Sequence, residues 1–202
     1  MIAIVDYGMG NLRSVYNAFK TLEFDAKIVS DEKSIKSADR LVLPGVGAFG
    51  DCFQGLIDRG LVDAVRDFIS SGKPFLGICV GMQLLFEKSY EFGEQIGLGY
   101  FKGAVVRFPE KDRYKIPHMG WNEVKILRDH PVIKDIPDGS FLYFVHSYYA
   151  PVIEDSTMVC NYIEDFTAMV AKDNIVGVQF HPEKSQRLGL AILKNFGEWK
   201  CC

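Results

Sequence analysis

The chain has 202 residues, 48% of them hydrophobic and 24% charged, and a formal charge of −3. That length and composition suit one globular domain over residues 1–202 with room for a sizeable core, and the weak negative charge offers no attraction to nucleic acid or to an anionic membrane surface. No apolar run is long enough to span a bilayer, and Asp6 interrupts the apolar opening before a signal-like segment could form.

Ile2 to Val5 reads as a strand, Tyr7 to Asn11 as a turn, and Leu12 to Leu22 as an amphipathic helix with Val15, Ala18, Phe19 and Leu22 on one face. Ala26 to Val29 is a second strand, Asp31 to Lys36 a short polar helix or turn, and Leu41 to Leu43 a third strand. The glycine-rich loop Pro44 to Gly50 follows, then helical stretches over Asp51 to Arg59 and Leu61 to Ser70. Phe75 to Ile78 is a buried strand closed by Cys79, and Met82 to Phe86 reads as a short apolar helix. Short buried strands alternating with helices predict a parallel, doubly wound α/β sheet.

Beyond Tyr90 the pattern changes. Gly97 to Val106 looks like a loop entering a strand, and His118 to Asn122 like a turn before a strand at Glu123 to Leu127. Further strands are expected at Phe141 to Val145, Thr157 to Cys160, Ala168 to Ala171 and Ile175 to Gln179. Their connections are too short for crossover helices, so several must be antiparallel. A helix from Gln186 to Glu198, with Leu188, Ile192 and Phe196 at four-residue intervals, closes the chain.

Gly77-Ile78-Cys79-Val80-Gly81 is the thiol counterpart of the Gly-x-Ser-x-Gly nucleophile elbow. Such a turn needs neighbours without Cβ, and a helix starting just after the cysteine favours the thiolate. The alternative is a buried structural thiol. The five cysteines (Cys52, Cys79, Cys160, Cys201, Cys202) show no metal-ligand spacing, so a reducing cytoplasm is expected, with no disulfide framework and no metal, and a frayed Cys201-Cys202 end. A thiol nucleophile needs a base. His181 ends a strand bound for the carboxyl edge of the sheet, and an extended backbone through Pro182 would set Glu183 on its side as the orienting carboxylate. The other reading is a strand end with Glu183 solvated. Gly45, Gly47 and Gly50 match G-x-G-x-x-G, but no strand lies where the acid of a dinucleotide site belongs. Free N–H groups of that loop suit an oxyanion instead.

Pro-Gly-Val-Gly, Gly-Ile-Cys-Val-Gly-Met-Gln and Phe-His-Pro-Glu, in that order, resemble the class I (triad-type) glutamine amidotransferases. Asp6 to Leu12, Pro117 to Asn122 and His181 to Ser185 resemble, within that family, the glutaminase subunits of imidazole glycerol phosphate synthases. The resemblance implies a flavodoxin-like fold and a Cys79–His181–Glu183 triad acting on L-glutamine. It implies oxyanion donors at Val46, Gly47 and Val80, and substrate contacts at Gln83, Glu91, Ser147 and Tyr148. It further implies a (β/α)₈-barrel synthase partner met at Asn11, Met119, Trp121, Tyr143 and Lys184, with no cofactor. Two readings compete: the same glutaminase feeding a synthase for surface-sugar amidation, and a flavodoxin-like binding module in which Cys79 is structural.

Overall fold

In the computed structural model, which describes residues 1–201, the apolar runs of the amino-terminal half become inner strands of one sheet. Strand β1 (Ile2–Val5), buried throughout, pairs in parallel with β2 (Ala26–Val29) on one side and β3 (Arg40–Gly45) on the other. Unbroken apolar strands of this kind need cover on both faces. Helices α1 (Leu12–Thr21) and α2 (Glu32–Ser37) make the crossovers, α2 starting where the Asp31 carboxylate accepts the Ser34 N–H at 2.9 Å. Helices α3 (Phe49–Asp58) and α4 (Val62–Ser70) lead to β4 (Phe75–Cys79), parallel to β3. Because β2 and β3 leave β1 on opposite sides, a crevice opens at the carboxyl ends of the strands, where α/β sheets place their sites.

After β4 comes a single turn, α5 (Val80–Gln83), then β5 (Phe86–Ser89), β6 (Gln95–Ile96), β7 (Phe101–Arg107) and β8 (His118–Ile126). The remainder is β9 (Ser140–His146), β10 (Tyr148–Tyr149), β11 (Ser156–Asn161), β12 (Asp165–Lys172), β13 (Ile175–Val178) and α6 (Gln186–Glu198). The main sheet has the order β2-β1-β3-β4-β13-β12-β11-β8-β9. It is parallel from β2 to β13 and antiparallel from β13 to β9. The expected fold class is therefore found: a doubly wound parallel α/β sheet carrying antiparallel strands from the carboxyl-terminal half.

Two local expectations fail. The helix read over Met82 to Phe86 ends at Gln83, and Phe86 opens β5 in a second sheet of order β10-β7-β5-β6. Residues Met82 to Phe86 are buried on all sides, so no polar face reveals a period that could tell helix from strand. The turn read at His118 to Asn122 is the start of β8, paired with β9 from His118↔His146 to Val124↔Ser140. Gly120 and Asn122 suggest a turn, but cross-strand pairing outweighs them. Beneath the sheet, Phe19 of α1 packs edge-on against Phe24 and meets Phe196 of α6. Phe19 and Phe196, both fully buried, each contribute about 2–3 kcal/mol by burial. Cys201 packs against this core instead of fraying, and Cys202 lies outside the described residues. No helix among the described residues is long and apolar enough to cross a membrane.

Candidate active site

Cys79 occupies the turn between β4 and α5 with φ 54° and ψ −112°. A side chain there costs about 1–3 kcal/mol and persists only where its surroundings enforce it. They do. A Cβ on Gly77 would stand 2.5 Å from the Gly81 carbonyl oxygen, and one on Gly81 would overlap the Leu43 carbonyl of β3. On the other flank, a Cβ on Gly177 of β13 would lie 2.8 Å from Met82 Cγ. The elbow is thus pressed against the β3 backbone on one flank and packs the Met82 side chain over Gly177 of β13 on the other, which explains why glycine stands at these positions. Its helix is only four residues long, so less of the expected dipole is present to favour the thiolate.

His181 follows β13, and its Nδ1 lies 2.8 Å from Glu183 Oε1, both side chains being buried. The route differs from the extended backbone expected: Pro182–Lys184 forms one 3₁₀ turn, which brings the carboxylate back under the ring. Strand β9 clasps this turn. The His181 N–H donates to the Tyr143 carbonyl at 2.9 Å and the Ser185 hydroxyl to the His181 carbonyl at 2.7 Å. The Tyr143 N–H in turn donates to Ser185 Oγ at 3.0 Å. His181 Nε2 and Glu183 Oε2 are buried without a hydrogen-bond partner, the kind of exception that marks a working group. Burial alone would lower the His181 pKa. The neighbouring Cys79 thiolate and the Glu183 carboxylate overcome it and raise the value to about 10. The buried imidazole beside the sulfur is thereby held in its protonated form.

A cavity of about 260 Å³ opens over the sulfur, of a size for an amino acid rather than a nucleotide. Val46, Gly47 and Val80 line it beside Cys79, and Gln83, Glu91, Ser147 and Tyr148 line it together with Pro117, Val145 and His146. All the residues expected at the oxyanion and the substrate are therefore in one place. The Pro44 carbonyl accepts from Tyr7 Oη at 2.6 Å and the Val46 carbonyl from the Cys52 thiol at 3.6 Å. With a trans peptide, a Val46 carbonyl turned to Cys52 leaves the Gly47 N–H pointing the other way, at a φ of +105° that glycine tolerates. Glu91 Oε2 accepts the Phe49 N–H at 2.7 Å, and burial raises its pKa. Gln83 is buried rather than an exposed helix residue, and its Nε2 donates to the Tyr148 carbonyl and to Gln179 Oε1, each at 2.9 Å.

Sequence reasoning missed Gln179 and Ser185. Gln179 is fully buried, and its Nε2 stands 3.7 Å from Cys79 Sγ. An amide at the end of the apolar run Ile175 to Val178 was the available signal, because a buried polar side chain needs a partner. Met119 and Trp121, 61% and 45% exposed, project from β8. The Trp121 ring meets Tyr143 of β9 edge-on at 6.1 Å, and Lys184 Nζ lies 5.8 Å from the Tyr143 ring centre. These four residues form one patch beside the His181 turn. Asn11 stands at the N-cap position of α1 without a side-chain capping hydrogen bond, and α1 packs against that turn. Among the described residues no group of His, Cys, Asp or Glu is arranged to hold a metal ion.

A thiol elbow, an imidazole–carboxylate pair and a glycine-rich loop thus meet at one edge of a doubly wound α/β sheet, the layout of an enzyme of the nucleophile-elbow type. Residues 3–198 match the family Glutamine amidotransferase class-I, and the chain belongs to that family. It is 52% identical to the "Imidazole glycerol phosphate synthase subunit HisH" of Geobacter sulfurreducens, over 98% of this chain and 99% of that one. The protein of the same name from Caldanaerobacter subterraneus is 53% identical, with all of both chains covered. The one from Aquifex aeolicus is 50% identical over 96% of this chain and 94% of that one. Among solved structures, PurLQS from Thermotoga maritima superposes with a TM-score of 0.74 at 20% identity, over 96% of both chains. Another, a glutamine amidotransferase, gives 0.73 at 19% identity, over 98% of this chain and all of that one. At such identities these two likenesses concern the fold alone.

Proposed function

We propose that the chain is the glutaminase subunit of an imidazole glycerol phosphate synthase, a single cytoplasmic amidotransferase domain that supplies ammonia for histidine biosynthesis. The observation that carries the chemistry is the strained Cys79 beside a buried His181 whose Nε2 has no other partner. The Cys79 thiolate attacks the side-chain amide carbon of L-glutamine. N–H groups at Val46, Gly47 and Val80 hold the resulting oxyanion. His181, held protonated by Glu183 and the thiolate, passes its proton to the departing nitrogen, which leaves as ammonia with a thioester behind. Neutral His181 then takes a proton from water, hydroxide adds to the thioester, and glutamate departs as the thiolate reforms. Gln83, Ser147 and Tyr148 position the substrate, and Glu91 faces its ammonium. Neither metal nor organic cofactor enters this scheme.

Near-50% identity over full length to proteins of the histidine pathway favours that acceptor over a surface sugar. Family membership argues against a binding module with a merely structural Cys79. The patch of exposed Met119, Trp121 and Lys184 with half-buried Tyr143, and Asn11 nearby, suits docking of a (β/α)₈-barrel synthase, since aromatic and methionine anchors with a flanking charge are typical of interface cores. The test is Cys79→Ala in complex with the cognate synthase. Glutamine-dependent synthesis should vanish while synthesis from added ammonium salt persists. Loss of both activities, or failure of a glutamine-analogue electrophile to label Cys79 in the complex, would overturn the assignment.

A further inference from the structure

A continuous hydrogen-bonded chain runs through the interior from β8 to the nucleophile. Asn122 Nδ2 faces His118 Nε2 at 3.2 Å, and His118 Nδ1 faces His146 Nε2 at 3.0 Å. His146 Nδ1 reaches the Tyr148 carbonyl at 2.9 Å, the same oxygen that accepts from Gln83 Nε2. Gln83 also donates to Gln179 Oε1, and Gln179 Nε2 stands 3.7 Å from Cys79 Sγ. Direction follows from chemistry. A carbonyl only accepts, so His146 Nδ1 carries hydrogen, and a neutral His146 then accepts at Nε2 from His118 Nδ1. His118 Nε2 is left to accept from the Asn122 amide, whose Oδ1 takes the Glu123 N–H and whose Nδ2 also donates to the Asn161 carbonyl. With both imidazoles neutral, each ring nitrogen has its complement, and protonating either ring would set two N–H groups against each other.

The chain has one end on the strand that exposes Met119 and Trp121 and the other on the reacting sulfur. His118 sits against Phe144 and Tyr162 and edge-on to Phe108 and Phe166, an apolar shell that keeps water from competing. Low local dielectric strengthens such a chain when it is fully satisfied. Burial also holds the pKa of His118 near 4 and that of His146 near 3, which keeps both rings neutral.

We propose that Asn122, His118, His146, Gln83 and Gln179 form one positioning chain that holds an amide N–H on the Cys79 sulfur and ties that donor to strand β8. The donor at Gln179 lowers the energy of the thiolate and fixes its direction. The link to β8 rests on the docking role given to that strand above; the link from His118 to the sulfur does not.

The test uses Gln179→Met, which keeps length and loses both the amide oxygen and the amide NH₂, and His118→Phe, which suits the aromatic shell and removes both ring nitrogens. Two rates are read in the complex with the synthase and in the chain alone: glutamine turnover, and iodoacetamide alkylation of Cys79 resolved by peptide mass spectrometry. Gln179→Met should lower kcat and the alkylation rate by about tenfold or more, with KM within about twofold, because the donor lies behind the sulfur. His118→Phe should lower both by about fivefold, the equivalent of one neutral hydrogen bond. His118→Gln, which restores a donor and an acceptor, should recover most of that loss. Wild-type rates in either Gln179→Met or His118→Phe, a loss confined to KM, or no recovery with His118→Gln would overturn the proposal. An inactive wild-type complex would instead overturn the functional assignment, and alkylation of the chain alone would still read the chain.

Discussion

Single titratable groups in this protein pull stability in opposite directions with pH. Burial holds His118 near 4, and burial together with the neighbouring His118 and His181 holds His146 near 3. Unfolded, both titrate near 6.5, so below that pH the unfolded chain binds protons that the native chain refuses. Their effect is therefore absent above pH 6.5, and stability falls as pH drops toward 4, by up to about 1.4 kcal/mol per unit for each histidine. His181 has the other sign: raised to about 10, it contributes fully below 6.5 and loses that contribution as pH climbs toward 10. Urea unfolding at pH 7 and pH 5 should show a drop of about 2–4 kcal/mol between them, with His118→Phe roughly halving it. Equal midpoints at the two pH values would refute the neutral-pair description. Glu183→Gln addresses the third member of the proposed triad. By removing the charge that orients and protonates His181, it should cut kcat by about 10²–10⁴-fold with little change in KM, measured as glutaminase turnover in the complex. A wild-type kcat would leave Glu183 without its orienting role.

At the scale of elements, the tightest constraint is the wedge of β4 and α5 between β3 and β13. Gly81→Ala drives a methyl into the Leu43 carbonyl, which is backbone and cannot rotate away. Gly99, unlike Gly81, has a positive φ, of 78°, but open space around it. Denaturation of the two alanine variants should separate the effects: about 1 kcal/mol lost at Gly99 from backbone conformation alone, and more than about 3 kcal/mol, or no soluble fold, at Gly81. Comparable losses at both would mean that β3 yields. This wedge was legible in the sequence because glycine on both sides of a cysteine has few other uses. The parallel strands were legible because unbroken apolar runs of four or five residues fit little else. The second sheet was not, since Met82 to Phe86 are buried all round and carry no period. The pairing of His181 with Glu183 was anticipated from strand alternation, yet a 3₁₀ turn produces it, because Pro182 suits the first position of such a turn. Gln179 escaped because its partner Gln83 lies 96 residues away in sequence, and nothing local marks the pair.

At the scale of the whole molecule, the proposed docking patch and the proposed catalytic turn share a backbone. Tyr143 belongs to the exposed patch through its ring and to the His181 clasp through its N–H and carbonyl. A partner pressing on the rings of Trp121 and Tyr143 would therefore act one hydrogen bond from the His181 backbone, while β8 feeds the interior chain toward the sulfur. Two variants pull these functions apart. Trp121→Ala removes an anchor from the patch and should weaken binding of the synthase by about 30-fold or more, the cost of losing an interface hot spot, while the melting temperature of the free chain stays the same. Ser185→Ala keeps the patch but deletes the hydroxyl that accepts from the Tyr143 N–H and donates to the His181 carbonyl. It should leave affinity for the synthase near wild type, measured by titration calorimetry, and lower glutamine turnover in the saturated complex by about tenfold, as two neutral hydrogen bonds are lost. If Ser185→Ala weakened binding as much as Trp121→Ala did and turned over normally once saturated, the clasp would serve docking alone, and the route from partner to imidazole would have to run elsewhere.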